Sequence, residues 1–180
     1  MVATLMSLLL LTAMACAGPQ PSPAPTPPTE PPANGERVEE TDVSGDFQLT
    51  VSLPASVRAD QPIEGTATLE SGSAEAITIS GSGSGIVFEY AEVDGDRRVM
   101  PVWTDDCQPY QLTEDDPLES ELTKSGAVDS EFAEQFLEGP DIRLPAGEWR
   151  ISAIVNFFEG PSCTGQRHSM SASVVIQVDE

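Results

Sequence analysis

The chain is poor in the residues that carry common enzyme chemistry. It has a single histidine, His168, and no G-x-S-x-G, P-loop or dinucleotide-binding motif. A hydrolase triad usually needs a histidine base, and an H-x-x-x-H zinc pair needs two histidines. His168 stands in a polar stretch before the last strand pattern, where we predict an ordinary residue that faces water. We therefore expect a protein that is not an enzyme and has no cofactor.

Positive charge is also scarce. Acidic residues outnumber Lys and Arg by 30 to 8, which gives a formal charge of -22. Such a chain repels nucleic acid, and the charge is typical of a soluble, exposed protein. The acidic residues at 94–96, 105–106 and 114–116 do not follow the alternating D-x-D-x-D-G pattern of a calcium loop. We predict no metal site, and a calcium-stabilised surface domain stays open as an alternative.

No apolar run is long enough to span a bilayer, which takes about 20 residues. Residues 2–15 are mostly apolar, with Leu8 to Leu11 at their centre, and small residues follow. This length suits the hydrophobic part of a signal peptide. We predict a signal peptide over residues 1–15, cleaved before Cys16.

The cleavage region Ala13-Met14-Ala15-Cys16 resembles the lipobox of bacterial lipoproteins. In that family a small residue precedes a cysteine that receives a diacylglyceryl thioether and becomes the new N-terminus. The resemblance implies that Cys16 is lipidated and that the protein is anchored on the extracytoplasmic side of a bacterial cell membrane. The alternative is a freely secreted protein with an ordinary signal peptide.

A proline-rich segment follows Cys16. Residues 18–34 are nearly half proline and contain no large apolar side chain. They cannot bury surface, so we predict a disordered or polyproline-like spacer. The lipidated cysteine and this tether together take residues 16–45.

The cysteine count indicates one disulfide. If Cys16 carries lipid, Cys107 and Cys163 remain as an even pair in an oxidising compartment. We predict that these two cysteines are joined. No C-x-x-C motif occurs, which excludes the usual thiol redox site.

Beyond the tether, apolar residues recur with the period of two that is typical of strands. The pattern predicts short strands joined by Gly, Pro and Asp turns, at residues 47–53, 63–69, 77–79, 86–91, 97–103, 149–157 and 170–178. An Asp94-Gly95 turn is expected between the fourth and fifth of them. We predict an all-β fold for residues 46–180: an antiparallel, immunoglobulin-like β-sandwich of about seven or eight strands, present as a monomer.

Three other features carry weaker signals. Residues 104–130 are acidic and aperiodic, and we expect a long excursion around one short strand. Residues 129–140 have the composition of a single helical turn. Trp103 and Trp149 are expected in the core, with Trp103 packed near the disulfide; a platform that stacks on carbohydrate is the alternative.

Three stretches resemble the BsuPI-type intracellular proteinase inhibitor domain, which is also a β-sandwich. They are GTATLESGSAEAITIS (65–80), GIVFEYAEVDGDRRVMPVW (85–103) and RLPAGEWRISAIV (143–155). The resemblance implies an immunoglobulin-like fold and, through the family's name, protease inhibition by an exposed loop. From the residues themselves we expect a non-catalytic binding module. A protein partner is one candidate, and the pattern does not define the ligand.

Overall fold

The computed structural model describes residues 35–180, which form two β-sheets packed face to face around one hydrophobic core. The described residues contain eleven strands and one helix: β1 (Arg37–Ser44), β2 (Phe47–Pro54), β3 (Ser56–Arg58), β4 (Thr66–Ser71), β5 (Ile77–Gly81), β6 (Val87–Glu92), β7 (Arg98–Val99), β8 (Gln108–Leu112), β9 (Leu118–Glu121), α1 (Glu131–Leu137), β10 (Gly147–Glu159) and β11 (Arg167–Asp179). The all-β sandwich prediction is confirmed. The predicted signal peptide, Cys16 and the tether as far as residue 34 lie outside the described residues.

The long pair β10–β11 forms the centre of the larger sheet. Its antiparallel register runs from Gly147 opposite Val178 to Phe158 opposite Arg167. Alternate side chains of both strands are buried, as the period of two predicts. These inward side chains meet the buried face of β2, and together they make up most of the core.

The two sheets differ in their strand order. The smaller sheet has the order β1-β2-β4-β9, and the larger one runs β3-β11-β10-β5-β8, with β6 and β7 beside the first half of β10. The chain crosses between the sheets at Ala55, whose N–H donates to Glu36 and whose carbonyl accepts from Gln177. β3 then runs parallel to β11, so the larger sheet is mixed and not purely antiparallel as predicted.

β1 lies inside the segment that the sequence pattern assigned to the tether. It pairs with β2 along its whole length, from Arg37 opposite Pro54 to Ser44 opposite Phe47. As an edge strand, it is held by backbone hydrogen bonds, and most of its side chains face water. It therefore lacks the apolar alternation that reveals β2.

The hairpin predicted around Asp94-Gly95 is shorter than expected. β7 contains only Arg98 and Val99, and the connection from Glu92 is wider than a two-residue turn. Arg97 bonds Glu92 through both its backbone and its guanidinium group. This contact closes the loop without the positive φ angle that a tight Asp-Gly turn requires.

A short helix closes one end of the sandwich. α1 has two turns where one was predicted, because the Ser130 hydroxyl caps it by accepting a hydrogen bond from the Ala133 N–H. Phe136 is buried, and Phe132 stacks on Trp149 with ring centroids 5.4 Å apart.

The acidic segment before the helix contains two short strands, β8 and β9, and not one. Both are edge strands, which explains their weak apolar pattern.

Close packing of β5 against β10 requires glycine at position 81. A Cβ atom at Gly81 would lie 2.7 Å from the backbone oxygen of Asn156. We predict that Gly81→Ala lowers the free energy of unfolding by about 1–3 kcal/mol, because the two strands must separate to admit the methyl group. Urea denaturation measures the change.

The matched control is Gly35→Ala, where a Cβ atom would meet nothing within 4 Å. It should change stability by less than about 0.5 kcal/mol. Equal stability of the two variants would contradict the packing argument.

Candidate functional site

His168 is buried, contrary to the prediction that it faces water. Only 6% of it is exposed, and it belongs to β11 instead of preceding it. Its ring stacks on Phe157, with centroids 4.9 Å apart and planes 9° apart. Its Nδ1 lies 3.2 Å from the Ser44 hydroxyl and its Nε2 lies 2.8 Å from a Glu159 carboxylate oxygen.

The arrangement of Ser44, His168 and Glu159 has the residue types of a hydrolytic triad. Five surface depressions of residues 35–180 are lined by other residues, and none of the three side chains lines any of them. What the contacts do is join β1 of one sheet to β10 and β11 of the other. We interpret the cluster as a polar link between the sheets.

The structure joins Cys107 and Cys163 in a disulfide, with Cα atoms 6.2 Å apart. Cys107 directly precedes β8, and Cys163 lies in the loop between β10 and β11. The Cys163 backbone has a left-handed φ of 52°, which is uncommon for a residue other than glycine. Its N–H donates to the buried Ser80 hydroxyl at 2.8 Å, so this loop is held at two points.

The two tryptophans have different environments, and one of the two core predictions is wrong. Trp149 is fully buried, donates from Nε1 to the Pro145 carbonyl at 2.8 Å, and lies under the Arg97 guanidinium. Trp103 is only half-buried and lines a surface depression beside the disulfide. The chain leaves the sheet after β7, so Trp103 reaches the rim of the sandwich and not its interior.

We call this depression the rim site. It has a volume of about 500 Å³ and opens around the disulfide. Six side chains supply its chemistry: Trp103, Thr104, Asp106, Asn156, Phe158 and Arg167. A second, wider depression shares Thr104 and Asp106 and extends to Tyr110.

Strand register brings the far wall of the rim site together. Because inward side chains of β10 fill the core, Asn156 and Phe158 point to the outer face of the larger sheet. Arg167 lies directly opposite Phe158 in the neighbouring strand. These three side chains therefore form one patch. The disulfide joins the β10–β11 loop beside this patch to Cys107, four residues after Trp103.

Hydrogen bonds fix the acidic wall of the rim site. Asp106 accepts from the Gly83 N–H at 3.0 Å and from the Gln108 amide at 3.2 Å. Contact with the Thr104 hydroxyl and the Gly83 N–H lowers the pKa of the Asp106 carboxyl below its ordinary value. Asp106 is therefore ionised at neutral pH and acts as a hydrogen-bond acceptor.

Arg167 provides the positive charge of the rim site. Among the described residues, four of the arginines pair with carboxylates, and none of these ion pairs involves Arg167. No hydrogen bond to its guanidinium group is present there either, and the side chain is exposed. Its donors are therefore available to a ligand.

Residues 35–180 contain neither a metal cluster nor a membrane-spanning helix. No three His, Cys, Asp or Glu side chains in this part of the chain are grouped closely enough to hold a metal ion. None of its helices combines the length and the apolar character that crossing a membrane requires.

Comparisons with protein-family models, with curated proteins and with solved structures find no match to this chain.

Sequence reasoning singled out Trp103, Cys107 and Cys163, and the structure brings these three together. It missed Asn156, Phe158 and Arg167. One signal was available for Phe158: in a strand with a period of two, only one of the neighbours Phe157 and Phe158 can face the core. An aromatic residue on the outer face indicates a contact surface.

The disulfide should make a large contribution to stability. It closes a loop with a sequence separation of 56 residues, for which the chain-entropy relation gives about 4 kcal/mol. We predict that replacing both cysteines with serine lowers the free energy of unfolding by this order, measured by urea denaturation.

The control for this prediction is a reductant. Dithiothreitol should shift the unfolding of the parent protein and leave the double variant unchanged. Parent and variant with the same midpoint under non-reducing conditions would refute the assignment of stability to this bridge.

Proposed function

We propose that this chain is a non-catalytic binding module, lipid-anchored through Cys16 on the extracytoplasmic side of a bacterial cell membrane, which presents the rim site to a ligand. The observation that carries the proposal is the rim site itself. It combines an accessible tryptophan, a guanidinium group without a protein partner and a fixed carboxylate in one depression. Such a mixture of aromatic surface and a few placed polar groups is typical of ligand sites.

The disulfide supports the anchored location. Structural disulfides persist in oxidising, extracytoplasmic compartments. Since Cys107 and Cys163 bond each other, Cys16 is the remaining thiol of the chain. A cysteine in this position is what lipidation needs, and the proline-rich residues after it suit a spacer.

We predict that Cys16→Ser moves the protein from the membrane fraction to the soluble fraction, because the acyl chains are lost. Fractionation and immunoblotting of a bacterial host measure the change, and the intact mass of the membrane-extracted parent reports cleavage and acylation. The matched control is the Cys107→Ser/Cys163→Ser double variant, which should stay with the membrane. A Cys16→Ser variant that sediments like the parent would exclude the lipid anchor.

A protease-inhibitor-like module is a second candidate, favoured by one segment. Residues 100–103 follow β7 outside the sheets and expose Met100 and Val102 by 38% and 47%. The segment is braced at both ends: the Met100 carbonyl accepts from the Ala127 N–H, and the Thr104 N–H donates to the Ser82 hydroxyl. Proteases bind extended chains, and a braced loop loses little entropy on binding.

A panel of purified proteases tests this candidate. If the segment inhibits, the parent blocks one enzyme stoichiometrically, and Val102→Asp raises the inhibition constant at least about tenfold by placing a charge in the contact. Val128→Asp is the control, since Val128 is 65% exposed elsewhere on the domain. An inert parent, or equal effects of the two variants, would remove this candidate.

A further inference from the structure

We infer that the ligand of the rim site is a neutral saccharide, held against the Trp103 ring and hydrogen-bonded by Arg167, Asn156 and Asp106. The inference rests on the proposed binding function and specifies its ligand class. It follows from three properties of the rim site: its aromatic surface, its balance of charge and its mixture of donors and acceptors.

The aromatic surface suits the face of a sugar ring. Trp103 and Phe158 are both half-buried, so each ring is supported by the protein and offers part of its surface to solvent. The face of an aromatic ring is electron-rich and attracts C–H groups that carry a slight positive charge. A pyranose has such C–H groups on its faces and hydroxyls around its edge.

The charge in the rim site argues for a neutral ligand. The lining of the rim site carries two carboxylates, Asp105 and Asp106, and one guanidinium group, Arg167. An anion that meets Arg167 also meets these two carboxylates, and a cation that meets the carboxylates also meets the guanidinium group. The whole chain carries a formal charge of -22, which further disfavours an anion. A polyhydroxylated neutral molecule avoids both conflicts.

The polar groups match hydroxyls, which both donate and accept. The Arg167 guanidinium supplies only donors, the ionised Asp106 supplies only acceptors, and the Asn156 amide supplies both. Sugar hydroxyls both donate and accept, so a saccharide offers each of these three side chains a hydrogen-bond partner of the kind it needs. An apolar ligand would leave these groups desolvated without a partner.

The position and size of the depression are consistent with this ligand. Its volume of about 500 Å³ lies within the range of roughly 300–1,000 Å³ seen for small-molecule sites. It is an open site on the outer face of the sheet, so a sugar at the end of a longer chain can enter. The disulfide and the Ser80 contact hold its walls in place before the ligand arrives.

The test is a titration of the purified full-length protein, extracted in a detergent whose head group is not a sugar. The probes are glucose, galactose, mannose and N-acetylglucosamine with their β1,4- and α1,4-linked disaccharides, followed by tryptophan fluorescence and by calorimetry. Benzoate and a neutral tetrapeptide are the comparison probes. We expect at least one saccharide to bind and to change the emission of Trp103, while the buried Trp149 stays silent.

Variants assign the binding to the rim site. Trp103→Ala should weaken saccharide binding about tenfold or more, and Trp103→Phe should recover part of it because an aromatic face returns. Arg167→Gln should weaken binding several-fold. Arg150→Gln is the matched control. Arg150 is an exposed arginine on the neighbouring strand β10, and it does not line the rim site. Its replacement should leave binding unchanged. Circular dichroism and the unfolding midpoint show that each variant is folded.

The possible results distinguish an error in the ligand class from an error in the binding site. If no saccharide binds at millimolar concentration, or if Arg150→Gln weakens binding as much as Arg167→Gln, the saccharide inference is overturned. Binding of benzoate or the tetrapeptide that depends on Trp103 would keep the rim site as a binding site and refute only its ligand class. If no probe responds to Trp103→Ala or Arg167→Gln, the binding role proposed for the rim site fails as well.

Discussion

The register between β10 and β11 is the constraint on which the rest of the structure depends. Side chains alternate across a strand, so a slip of one residue would exchange the two faces of the pair. The observed register sends Trp149, Ile151 and their alternating successors into the core. The same register leaves Asn156 and Phe158 outside and sets Arg167 beside them. The register that forms the core therefore also places the three rim-site residues that lie on β10 and β11.

The excess of acidic residues gives the rim site its character. Among the described residues, Arg58, Arg97, Arg98 and Arg143 each have a carboxylate partner, whereas Arg37, Arg150 and Arg167 have none. A cation in so acidic a chain has many possible partners, and exposed ion pairs contribute little stability. What distinguishes Arg167 is its position opposite Phe158, in one depression with the fixed Asp106 carboxylate, a setting that suits recognition. The same acidic field keeps anions at a distance, which narrows the class of ligand.

Sequence reasoning predicted the parts of the fold that the core determines. β2, β10 and β11 carry apolar residues at every second position over most of their length, because one face of each is buried. β1 has no such face, so its pairing was not foreseen. His168 lies two residues before Met170 and continues its inward-facing series. It was nevertheless predicted to lie in a loop, because a histidine between polar neighbours is typical of a loop. The rim site joins residues far apart in sequence, and only strand register and the disulfide bring them together.

The disulfide and the proposed anchor would together offset the weakness expected of an open, polar site. A shallow depression buries little of its ligand, so each site would have a low affinity for a sugar. Fixing the walls through Cys107, Cys163 and Ser80 reduces the entropy lost on binding. If Cys16 anchors many copies to one membrane, a surface that carries repeated sugars meets several sites at once, and avidity multiplies the weak contacts. A spacer of polyproline-like chain would give each copy the reach for this, at about 3.1 Å per residue.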